Sequence, residues 1–146
     1  MFKKSLFFCV LIWAAGNAFA DNIRVSLEIN NVAVGRGLVY VAVYSNENDY
    51  KNEQGLVSFM LESTGATLTY SLELPEGEYV VSAFQDTNNN GKLGTTIFGI
   101  PTEPVGKTNY NHRGAPGNFK KLKMPVNSNS TVLTVNMGRV KPLGVI

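Results

Sequence analysis

The sequence predicts an all-β protein, a sandwich of about seven short strands. Three observations support this: apolar and polar residues alternate with a period of two, Gly, Pro and Asn clusters stand between the alternating runs, and no amphipathic helix of useful length occurs. Two antiparallel sheets sharing one core satisfy that pattern. With 44% hydrophobic and 16% charged residues, the 146-residue chain is neither disordered nor collagen-like and suffices for one ordinary domain.

Ile23, Val25, Leu27 and Ile29 alternate with Arg24, Ser26 and Glu28, which makes the first strand. Asn30-Asn31, Gly35 and Gly37 mark a turn. Leu38 to Tyr44 follows, apolar on both faces and therefore central in its sheet. Residues 46–54 are polar and fit either a short helical turn or an irregular crossover. Leu56 to Leu61 is a short strand, and Ala66, Leu68, Tyr70, Leu72 and Leu74 alternate clearly. Pro75-Glu76-Gly77 is a tight turn, so Tyr79 to Phe84 is expected to run back as the second arm of a hairpin. Residues 86–118 contain so many Gly, Pro and Asn that no regular element is expected there. Phe119 to Val126 and Thr131 to Met137 are expected to form a last hairpin around Asn127-Ser128-Asn129.

Residues 1–20 read as a secretory signal: Lys3 and Lys4, an apolar run from Leu6 to Ala15, then Ala18-Phe19-Ala20 as a small-x-small cleavage site. The run is too short for a transmembrane anchor, and Leu6-Phe7-Phe8 before Cys9 is unlike a lipoprotein cleavage site. The expected mature domain, residues 21–146, then has no cysteine. Removing Lys3 and Lys4 from the 13 basic residues leaves 11 against 11 acidic ones, a net charge of zero. That balance offers no basic field for nucleic acid. The expected location is periplasmic or extracellular.

Chemistry is expected in the 86–118 loop, which exceeds the length at which structureless loops are usually functional or disordered. In Asp86-Thr87-Asn88-Asn89-Asn90-Gly91-Lys92, oxygen-bearing side chains recur at positions one, three and five with Gly at six, the opening of a calcium loop. Asp86, Asn88, Asn90, the Lys92 carbonyl and Glu103 folding back are the candidate ligands. Gly94 and Ile97 stand at positions nine and twelve, so the bidentate carboxylate is missing and affinity is expected at about 10⁻⁴ to 10⁻³ M or weaker. Asx turns and left-handed backbone explain the same residues without an ion.

Leu74-Pro75-Glu76-Gly77-Glu78-Tyr79, then Phe84, Asp86, Asn88, Asn90-Gly91-Lys92-Leu93, Phe98-Gly99-Ile100-Pro101-Thr102-Glu103 and Gly106 together resemble the exported bacterial proteins called domain of unknown function 2141. The resemblance spans nearly the whole expected mature chain. It implies a transthyretin- or prealbumin-like β-sandwich in the bacterial envelope without an established activity. Members often carry aspartate where this chain has Gly94. The LPxGxY segment is also similar to that of prealbumin-like repeats and carboxypeptidase-associated domains, which are accessory or stalk modules.

His112 is the sole histidine, no nucleophile-elbow motif accompanies it, and its neighbours suggest a solvated loop position. Lys120, Lys121 and Lys123 are expected on an exposed strand, discouraging edge pairing. Tyr40, Tyr44, Tyr70 and Tyr79 suggest a carbohydrate-stacking surface, but Tyr70 and Tyr79 are more simply a cross-strand pair of the expected hairpin. Phe98 and Tyr110, aromatic in a loop otherwise made of turn residues, either pin the long loop to the sandwich or contact a ligand, and pinning is the leading expectation. The leading expectation is a non-enzymatic binding or accessory module whose loop meets an envelope or extracellular protein or glycan. The alternatives are a small extracytoplasmic hydrolase using Asp86, Glu103 or His112, and a structural subunit docking by strand addition.

Overall fold

A computed structural model of the chain describes residues 21–143, so the expected signal segment and cleavage site lie outside the described residues. Over the described residues the chain is all-β with two short helices: β1 (Asn22–Asn30), β2 (Val39–Tyr44), α1 (Glu47–Lys51), β3 (Val57–Leu61), β4 (Leu68–Pro75), β5 (Gly77–Gln85), β6 (Val105–Lys107), α2 (Phe119–Leu122), β7 (Met124–Val126) and β8 (Val132–Asn136). One sheet has the order β4-β1-β8. The other runs β3-β2-β5-β6, and β7 follows β6 along the same edge of β5. All pairs are antiparallel except β1 with β8, which run parallel.

The alternation read from the sequence becomes burial. Val25, Leu27 and Ile29 of β1 face Val39, Val41 and Val43 of β2 across a shared core completed by Leu72, Leu74, Val81, Leu133 and Val135. β2 is central, as its two apolar faces predict. Its outer face, with that of β5, lies under a second apolar layer of Tyr44, Val80, Val105, Tyr110, Phe119 and Leu122. Residues 46–54 take the helical alternative, with the Asn46 side chain capping the amide of Asp49.

Both expected hairpins are corrected. Pro75-Glu76-Gly77 carries the chain from one sheet to the other, because β4 pairs with β1 while β5 pairs with β2. A period of two reports which face is buried, and strands on opposite sheets bury the same core equally well. Tyr79 closes this corner by donating its hydroxyl to the Pro75 carbonyl at 2.7 Å. Tyr70 therefore does not pair with Tyr79; it stacks on Phe59 of β3 at 4.2 Å, across the edges of the two sheets. At the C-terminal end, residues 119–122 form α2 instead of strand, with the Asn118 side chain capping the amide of Lys121. β7 and β8 do not pair with each other; the turn between them is closed by the Asn127–Ser130 bridge, and they join different sheets. Lys120 and Lys121 accordingly sit on a helix, and Lys123 pairs with Glu78 at 2.6 Å. The long loop also holds one regular element, β6, paired with β5 through Val105, Gly106 and Lys107.

Candidate functional site

Asp86 directly follows β5 and is 3% exposed. Its Oδ1 accepts the Asn90 amide at 3.1 Å and its Oδ2 the Gly91 amide at 2.8 Å. Asn88 accepts from the amide of Asn90 at 3.3 Å and Asn90 from that of Lys92 at 3.0 Å, so both make Asx turns. Asn89 and Gly91 take the left-handed backbone at φ 59° and 79°. Glu103, also 3% exposed, folds back over the loop. Its Oε2 accepts the Thr87 and Asn88 amides at 2.9 and 3.4 Å, and its Oε1 accepts the Gly94 amide at 3.1 Å. Two buried carboxylates thus hold five main-chain amides, each bond strengthened by the acceptor's charge.

The five residues named as calcium ligands lie on this one loop, and their donor set fits a cation in part. Asp86 and Glu103 supply two carboxylates, Asn88 and Asn90 two amide oxygens, and all four side chains already accept main-chain hydrogen bonds. Gly94 and Ile97 add no side-chain oxygen, and the Gly94 carbonyl accepts the Thr102 amide at 2.9 Å. Among the described residues, no group of three or more His, Cys, Asp or Glu is placed to hold a metal.

Beyond the carboxylates the chain forms a tight tip. Thr95 bridges Pro101, the Thr96 amide donates to the Ile100 carbonyl at 2.8 Å, and Thr96 Oγ1 accepts the amides of Phe98 and Ile100, both at 3.2 Å. This fixes the backbone and sends the two central side chains outward: Ile97 is 94% and Phe98 82% exposed. Phe98 therefore does not pin the loop, contrary to the sequence expectation. Tyr110 does, buried in the outer apolar layer with its hydroxyl donating to the Gly114 carbonyl at 2.6 Å.

His112 is half-buried, not solvated. Its Nε2 lies 2.8 Å from the Val105 carbonyl and its ring covers Gly138, where an added Cβ would stand 3.2 Å from Nε2. Facing a carbonyl, Nε2 carries the proton, and the ring serves as a brace between β6 and the segment after β8. The four tyrosines are also engaged: Tyr40 stacks on Phe84 at 4.9 Å and Tyr44 meets Tyr50 edge-on at 5.4 Å, with Tyr70 and Tyr79 placed as described above.

Between the tip and the outer face of β5 and β6 lies a cleft of about 320 Å³. Phe84, Leu93, Phe98, Ile100, Val105 and Val140 make it largely apolar, and among the described residues Lys107 is the sole charged one in its wall. Burial pushes the Lys107 ammonium down to about 8, against an opposing pull from Glu53. Lys107, Gln85 and Thr108 are the residues that sequence reading passed over. Gln85 is fully buried: its side chain accepts the Ala33 amide at 2.9 Å and donates to the carbonyls of Ala33 and Gly37 at 2.8 and 3.2 Å. Thr108 Oγ1 accepts the Val81 amide and donates to the Leu122 carbonyl, tying β5 to α2. No local pattern marks either of them.

The family model of DUF2141, described as an uncharacterized protein conserved in bacteria, matches residues 27–134. The chain belongs to this family. No curated protein and no solved structure matches it. In this DUF2141 protein the residues of the resemblance, apart from Phe84 on β5 and Gly106 on β6, fall into three structural groups. Leu74 to Tyr79 form the sheet-to-sheet corner, Asp86 to Leu93 the amide-binding turn, and Phe98 to Glu103 the tip with its returning carboxylate. Among its described residues no helix is long and apolar enough to cross a membrane.

Proposed function

We propose that this DUF2141 protein is an exported, non-enzymatic binding module of the transthyretin-like β-sandwich type, which meets an envelope or extracellular partner through its 86–118 loop. The supporting observation is the adjacent pair Ile97 and Phe98, 94% and 82% exposed on a tip whose backbone is fixed by its own hydrogen bonds and by Glu103. Exposed apolar residues on a rigid mount lose little entropy on binding, the arrangement that gives recognition loops their affinity. The hydrolase alternative draws no support from Asp86 and Glu103, whose oxygens are engaged by amides that a reacting proton would have to displace, or from His112, which is held by Val105.

The ion enters this reading as an adjunct. The loop's shape is supplied by main-chain amides, and calcium at Asp86, Asn88, Asn90, the Lys92 carbonyl and Glu103 adds weak stabilisation in the millimolar range. To test the module, residues 21–146 with Ile97→Ser and Phe98→Ser are compared with wild type for retention on isolated envelope fractions. The expected result is loss of retention with melting temperature unchanged. Equal retention, or turnover of ester or glycan substrates that disappears in Glu103→Gln, overturns the reading.

A further inference from the structure

An apolar cleft and an ammonium without an ion-pair partner among the described residues occur together at one place on the outer face of the second sheet. Its wall is built from β5, β6, the tip and the segments around Ala115 and Val140, and apolar side chains dominate it. Lys107 and Ser82 both line it, and Lys107 Nζ donates to Ser82 Oγ at 2.7 Å. The same Nζ stands 5.1 Å from the centre of the Tyr50 ring. An ammonium has three donors, and among the described residues no carboxylate makes an ion pair with this one: the pairs there are Arg24–Glu73, Lys51–Glu47 and Lys123–Glu78. This ammonium is partly buried in an apolar wall and held by one side-chain hydrogen bond and a ring face, so a carboxylate placed beside it can make a charge-assisted hydrogen bond screened less than one at the open surface.

We propose that the cleft binds a small amphipathic carboxylate, its chain on the apolar wall beneath Phe98 and its head group on the Lys107–Ser82 pair. This rests on the reading of the loop face as the recognition surface and names the ligand class for it. The volume lies at the lower end of the about 300–1,000 Å³ typical of ligand pockets, which suits about ten to fifteen non-hydrogen atoms: a medium-chain or aromatic acid, not a long-chain lipid. The depressed ammonium is still mostly charged at pH 7. Around it, Tyr44 and Tyr110 have hydroxyls raised by burial and Tyr50 is pushed up to about 12, so these stay neutral through pH 9; Glu53 is the acidic group acting on Lys107. Carboxylate affinity should therefore fall as pH rises through about 8 to 9 as the free lysine loses its proton.

The test is calorimetric titration of residues 21–146 with octanoate, octan-1-ol and octyltrimethylammonium. Octanoate is expected to bind at least tenfold more tightly than the alcohol, and the cation not to bind. Lys107→Met is expected to cost octanoate at least tenfold while leaving octan-1-ol within twofold, and Lys107→Arg to restore the preference for the acid. Equal affinity for acid and alcohol, an unchanged octanoate affinity in Lys107→Met, or no octanoate binding at millimolar concentration overturns the proposal. If the proposal falls while Ile97→Ser and Phe98→Ser still abolish envelope retention, only the ligand assignment is lost.

Discussion

Gln85 shows how much a single side chain can hold. Its amide replaces a strand partner for the connection between β1 and β2, satisfying the Ala33 amide and carbonyl and the Gly37 carbonyl at once. Gln85→Leu preserves the volume and strands all three groups, each worth about 1–3 kcal/mol when buried unpaired. A loss of about 3 kcal/mol or more in urea denaturation is expected, and a loss under 1 kcal/mol would contradict this account. Lys107 works in the opposite direction. Its folded-state value of about 8 lies below the 10.5 of an exposed lysine, so between those two values the unfolded chain binds more protons and stability rises with pH. Below about 8 the buried charge is a constant cost. Lys107→Met should therefore stabilise the protein by about 1–3 kcal/mol at pH 7. The advantage should shrink as pH is raised towards 10, and urea titrations of both proteins at pH 7 and 9.5 measure the difference. Asp86, Asn88 and Asn90 were legible in the sequence because their oxygens recur at a readable spacing, and Glu103 only as a carboxylate able to fold back on them. Gln85, Lys107 and Thr108 were not, since nothing in the sequence around them says which distant main chain they will meet.

Among the elements, those with strong alternation were legible and their partners were not. β1, β4 and β8 fall close to where the period of two places them, β2 where an apolar run places it and β5 where the Pro75-Glu76-Gly77 turn places it, yet both expected hairpins open into corners between sheets. β6 escaped because three residues are too few to show a period, and one of them is Gly106. That glycine has a positional reason: an added Cβ would lie 2.6 Å from Val135 Cγ1 and 2.7 Å from the Asn136 carbonyl oxygen, so β6 approaches β8 only without a side chain. The approach lets Val105 and Gly138 exchange main-chain hydrogen bonds at 2.8 and 2.9 Å, linking the two sheets at this edge. Gly106→Ala should force the elements apart and destabilise by about 2 kcal/mol, in the range of overpacking. Faster hydrogen exchange at the Val105 and Gly138 amides is the specific signature, and unchanged protection there would refute it. α2 falls where the Asn127-Ser128-Asn129 turn suggests the first arm of a hairpin, with Phe119 and Leu122 as its apolar residues. Their spacing of three suits one helical turn equally, and the Asn118 cap decides it.

The molecule as a whole is a sandwich held differently at its two sides, by the Val105–Gly138 bonds where β6 meets β8 and by Phe59 on Tyr70 where β3 meets β4. The loop is mounted on the bonded side, which is why its carboxylates, tip and cleft have fixed positions without a long element of their own. If main-chain amides give the loop its shape, calcium should add little. At 1 mM ion and a dissociation constant near 1 mM the gain is about 0.4 kcal/mol, a melting-temperature rise of about 1–3 °C. A calcium-specific rise above 5 °C, absent with magnesium and reversed by chelator, would make the ion structural. The sequence alone determined the β class, the buried faces, the central place of β2 and the family, because these are set by local periodicity and by motifs that lie within short stretches. Tertiary structure alone decided strand partners, the outward turn of Ile97 and Phe98, and the lone charge of Lys107 in an apolar cleft. Those depend on which remote segments come together, and a chain's local pattern fixes what each segment must bury without fixing against what.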